Sequence, residues 1–139
     1  MANGKIRTAV ITGEHAYDVV GFQTLFRSIP EIDAYPQNMW DFVSDPEGGP
    51  GSYEVLLFYN MHTQTPAQAD GRFEAAMKET LEGLRDGQNG IFLLHHALVA
   101  FPDWPLWGEL SGMPKRADVP GVLDQTVHID VPDTQHPIT

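Results

Sequence analysis

The sequence predicts an α/β fold: a doubly wound, mostly parallel sheet with helices on both faces. Three observations carry it. Apolar runs, "RTAVIT", "EVLLFY" and "GIFLLH", alternate with stretches of helical spacing. The runs are apolar throughout rather than at every second residue, as strands covered on both faces are. Clusters of Gly, Pro and Ser separate the elements, most plainly in "SDPEGGPGS". With 139 residues, 42% of them hydrophobic, the chain reads as a single domain, 1–139.

Taken in order, Arg7 to Thr12 is a buried strand bounded by Gly4 and Gly13. Val19, Phe22, Leu25, Phe26 and Ile29 then recur at helical spacing until Pro30 stops them. A short strand is expected around Ile32 to Tyr35, followed by the Gly-rich loop. Glu54 to Tyr59 is the next buried strand. The helix after it is predicted to start at Thr65, with Pro66 at its first position and Gln68 completing a capping box. That register puts Phe73, Met77, Leu81 and Leu84 on one face, pairs Glu74 with Lys78 on the other and ends at Gly87. Gly90 to His95 is the third clear strand, and Thr126 to Val131 alternates as an edge or antiparallel strand would.

Composition removes several function classes. The formal charge of -11 arises from 19 acidic against 8 basic side chains, which disfavours nucleic acid or an anionic membrane as partner. With no cysteine there is no thiolate nucleophile and no disulfide framework. The N-terminal stretch carries no signal-like apolar core, and the expected location is cytoplasmic.

Ligands of open parallel sheets bind beyond the carboxyl ends of the strands. The residues there are Gly13, Glu14 and His15, then Asn60, Met61 and His62, then His95 and His96. Imidazole titrates near neutral pH and either moves a proton or binds a borderline metal, so the convergence of His15 and His95 points to acid–base chemistry. Gly13, Glu14, Asn60 and His96 are candidate substrate contacts. His62, alone in its loop, reads more simply as a solvated or locally hydrogen-bonded side chain. Trp104 and Trp107 stand three apart, which fits either a packed helix face or the wall of a pocket. No dinucleotide or phosphate-loop fingerprint is present.

"VITGEH", "YEVLLFYNM", "GIFLLHHALVAFPDWPLWGELSG" and "HPIT" together resemble the ThuA-like (trehalose utilisation) domain, over nearly the whole chain. That resemblance implies a flavodoxin-like, class I glutamine amidotransferase-like fold and a role in carbohydrate metabolism. It places Gly13 and His15 in the first turn, His95 at the elbow, Trp104 and Trp107 beyond it, and adds His136 as a further substrate contact. A divalent metal in some members makes His15, His95 and His136, with Glu14, candidate ligands. At the elbow, where the amidotransferases hold a cysteine, this chain has His95, so thiol chemistry does not transfer. "MPKRADVPG" departs from the family pattern, and the family continues past "HPIT". The expectation is a truncated or minimal domain, completed by self-association into a homo-oligomer.

Two functions follow as expectations. One is an enzyme, of hydrolase or isomerase type, acting on a small sugar or keto-sugar with His95 as general base or metal ligand and His15 as its assistant. The other is a non-catalytic sugar-binding or assembly module.

Overall fold

Four strands, β1 (Ile6–Gly13), β2 (Ile32–Asn38), β3 (Val55–Asn60) and β4 (Gly90–Leu93), form one parallel sheet in the order β2-β1-β3-β4. The computed structural model describes residues 4–46, 48–66, 71–116, 125–132 and 134–135. β1 is bonded on both sides and its Ala9, Val10 and Ile11 are buried completely, which is why its sequence carries no polar alternation there.

Helices cover both faces. Successive strand residues point to opposite sides. Ala9, Ile11, Leu56 and Phe58 therefore share one face, where they pack with Met39 and Phe42 of α2 (Met39–Ser44) and Met77 and Leu81 of α3 (Arg72–Glu82). Leu106 and Trp107 of α4 (Pro105–Ser111) complete this core. On the opposite face Tyr59 meets Phe22 of α1 (Val19–Arg27), ring centroids 4.7 Å apart. The doubly wound α/β arrangement expected from the apolar runs is the one present.

Local chemistry sets the boundaries. Asp18 caps α1 by accepting from Gly21 N at 3.0 Å, and Asn38 caps α2 by accepting from Asp41 N at 2.9 Å. Pro105 occupies the first turn of α4, and Gly112, at φ 67°, closes it in the left-handed conformation.

Several expectations are corrected. α3 starts at Arg72 rather than at Pro66, because Gly71 is extended at its N-cap; Gln68 lies outside the described residues. Met77, Leu81 and Leu84 are nevertheless buried, and Phe73 packs on Trp40 at 4.6 Å. Glu74 and Lys78 form no ion pair; among the described residues the ion pair present joins Arg85 to Glu109. β2 runs on through Pro36 to Asn38, which an edge strand tolerates because one side of it needs no amide donor. Residues 126–131 are not a strand, having no ladder partner, and Val127 and Ile129 are exposed. Among the described residues no helix is long and apolar enough to cross a membrane.

Arg116 closes the polypeptide onto this framework. It is buried, with the Asp103 carboxylate near enough to favour its charge, and its guanidinium donates to the carbonyl oxygens of Phe101, Pro102, Trp104 and Met113 at 2.7–3.3 Å. Gly108 makes room for it, since a Cβ there would lie 2.5 Å from Arg116 Nη1.

Candidate functional site

From β1 the chain passes outward to β2, then crosses back to β3 and β4, so the winding reverses between β1 and β3. Loops leaving the two strands diverge at such a reversal and open a crevice beyond their carboxyl ends. Gly13 and Asn60 are register partners at that end, and Met61 N donates to Gly13 O at 3.0 Å. Side chains from the β1 and β3 loops are thereby fixed relative to each other by backbone bonds.

On the α1 side the structure gathers three imidazoles around Tyr59. His15 lies 4.6 Å from the Tyr59 ring and 5.3 Å from His96, edge to face in both cases. His95 and His96 are 3.8 Å apart, and His95 is 6.1 Å from Tyr59. His95 adopts φ 56° as the chain leaves β4 for the 3-10 turn His95–Val99. A left-handed conformation costs a non-glycine residue about 1–2 kcal/mol, and here it turns the exposed His95 ring out of the strand direction and over its neighbour.

The three rings are electrostatically distinct. His96 is half-buried, and its Nδ1 is shut from solvent without a hydrogen-bond partner. Burial first, then the charges of His95 and His15, hold its pKa below the ordinary histidine value. His96 thus resists protonation, lying against His15 and the exposed His95. His15 has each ring nitrogen beside a carbonyl oxygen, Nδ1 3.1 Å from Ala16 O and Nε2 3.2 Å from Tyr59 O. These contacts fix its ring plane.

On the α3 side the β1 and β3 loops border a second cleft, of about 240 Å3, lined by Glu14, His62, Thr65, Phe73, Glu74 and Met77 among others. His62 is the functional candidate that sequence reasoning passed over. Its Nδ1 lies 3.0 Å from Asn60 Nδ2, its ring stacks on Phe101 at 5.2 Å and 14°, and its carbonyl oxygen accepts from Phe101 N at 2.7 Å. A Cβ on Gly13 would come within 2.8 Å of His62 Cε1, so only glycine leaves the ring its place. Burial lowers the His62 pKa, and the nearby Glu14 carboxylate opposes that shift without reversing it.

Other expected site residues fall elsewhere. Trp107 is completely buried, donates Nε1 to Ala97 O at 2.7 Å and packs edge-on against Phe58, so it is a core side chain and not a pocket wall. Trp104 packs in the core against Phe101 and also lines a separate cleft with Pro102, Pro105 and Gly108, away from the imidazoles. Asn60 has no exposed surface; it positions His62 rather than touching a ligand. His136 lies outside the described residues. Among the described residues, which do not include the candidate His136, no three His, Asp or Glu side chains stand where they could hold an ion.

Comparison with protein-family models, with curated proteins and with solved structures finds no match. Fold and site together define a class: a doubly wound α/β domain with an imidazole cluster and a polar cleft at its strand-order reversal.

Proposed function

We propose that the chain is a cytoplasmic, ThuA-like domain of carbohydrate metabolism, acting on a small sugar or keto-sugar at the imidazole cluster. His95 is the general base and His15 the assisting acid. The observation that carries this reading is the left-handed backbone at His95, which holds an exposed imidazole against His96 and within reach of the His15–Tyr59 pair. Non-glycine residues in that conformation are concentrated at functional turns because the strain must be sustained by the rest of the fold. An exposed imidazole base is suited to removing a proton beside a sugar carbonyl, and a second imidazole to returning one.

The test is turnover in deuterated buffer across a panel of aldoses, ketoses and disaccharides, followed by NMR for isomerisation, exchange at carbon or hydrolysis. The wild type is expected to convert at least one of them, with turnover falling by about 10^2-fold or more in His95→Ala. Full turnover in that variant overturns the assignment.

A second reading, a non-catalytic sugar-binding or assembly module, is favoured by exposed apolar side chains on the α1 face and in the extended segment, Phe92 at 52% and Ile129 at 81%. Sugar binding without conversion of any panel member would select it.

A further inference from the structure

We propose that the cleft between the β1 and β3 loops and α3 is a binding site in its own right, for a small organic cation: a primary amine whose carbon skeleton rests on Phe73 and Met77 and whose ammonium meets Glu14. The inference goes beyond the imidazole cluster and does not depend on what that cluster does.

The charges lining the cleft are all of one sign. Glu14 and Glu74 supply two carboxylates, Thr63, Gln64 and Thr65 supply uncharged polar groups, and among the described residues no Lys or Arg lines it. An anionic ligand would be desolvated against two negative groups with nothing to offset the cost. A cation is drawn by those carboxylates and by the field of a chain with net charge -11.

One acceptor is built into the cleft wall and unused. Thr65 is 6% exposed, and its Oγ1 has no hydrogen-bond partner. A buried hydroxyl without a partner costs about 1–3 kcal/mol, which an N–H donor from a ligand would recover once the Thr65 side chain turns its oxygen, now shut from solvent, toward the cleft. An ammonium has three such donors and no acceptor, so it can satisfy a carboxylate and a hydroxyl oxygen together.

The remaining wall is rigid. His62 is held by Asn60, by stacking on Phe101 and by the missing Cβ of Gly13. Burial lowers its pKa, which disfavours a competing cation beside Glu14. Met77, only 4% exposed, and the half-buried Phe73 supply the apolar surface. At about 240 Å3 the space lies below the roughly 300–1,000 Å3 of pockets for larger ligands.

Butylamine, butanol and butyrate share a skeleton and differ in charge. Titrated into protein carrying 13C-methyl Met and Thr and 13C-labelled His, butylamine is expected to shift the Met77 and Thr65 methyl and His62 ring signals. Its Kd should be at least about threefold below that of butanol, the order expected of one partly exposed ion pair, and butyrate should leave the signals in place. Glu14→Gln or Glu74→Gln should weaken butylamine binding by about threefold, whereas Glu82→Gln, which removes the same charge from an exposed position on α3, should not. Thr65→Val, close in volume, should weaken it too. Equal binding of butanol or butyrate, shifts confined to other residues, or unchanged binding in both Glu14→Gln and Glu74→Gln would overturn the proposal.

Discussion

Arg116 Nη2 donates to the carbonyl oxygen of Phe101 at 2.8 Å, and Phe101 in turn stacks on His62 and sits at φ 46°. The buried guanidinium thus holds a strained turn in place and, through it, one wall of the cleft. Arg116→Ala leaves several carbonyl oxygens unpartnered and is expected to cost about 2–4 kcal/mol, read as a lower urea midpoint with an unchanged m-value. Arg116→Lys should recover only part of this, because an ammonium lacks the planar fork that spans the separate oxygens.

Gly13→Ala places a methyl group 2.8 Å from His62 Cε1 at a residue with φ 154°. A loss of about 1–3 kcal/mol is expected. The 13C-labelled His62 ring signal should move while that of the distant His128 stays put.

His95→Gly should separate stability from activity. Glycine adopts φ 56° without the steric penalty, so the urea midpoint should hold or rise by up to about 1 kcal/mol equivalent while sugar turnover disappears. A lower midpoint would mean that the ring is needed for packing.

Trp107→Phe removes the donor to Ala97 O and shrinks a completely buried side chain. About 2–3 kcal/mol should be lost. Butylamine binding should be unaltered in protein that remains folded, since the indole has no ligand-facing surface.

Acid should destabilise the fold through His62 and His96. Both have folded-state pKa values below the ordinary value of about 6.5, for each chiefly through burial. Below that pH the unfolded chain takes up protons that the folded chain resists, so stability is fullest above about pH 6.5 and falls as pH drops toward the folded pKa values. Urea midpoints measured from pH 7.5 down to pH 5 should show the fall, and His62→Gln should flatten part of it.

Burial in the sheet wrote most of the fold into the sequence. Ala9 to Ile11 and Leu56 to Phe58 had to be apolar because helices lie on both sides, so these strands were legible as unbroken runs. α2 was not, for its six residues are too few to show a period and its cap, Asn38, also ends β2. The pattern of residues 126–131 looked like a strand because alternation records a preference for a half-buried surface, whereas a ladder also requires a partner. His15, His95 and His96 were legible as a group since parallel strands end side by side. His62 was hidden: what distinguishes it from a solvated loop histidine is Phe101, 39 positions away, and a glycine on another strand. The tryptophans stayed ambiguous, because spacing of three along a helix is the same for a core face and a ligand wall: Trp107 is wholly core, whereas Trp104 also lines a cleft.

Glu14 borders the cleft and His15 the imidazole cluster, although they are consecutive residues hinged on Gly13. A single peptide unit therefore serves as the pivot between two recognition surfaces. Any energetic influence of an occupant on one side upon an occupant on the other is returned in equal measure.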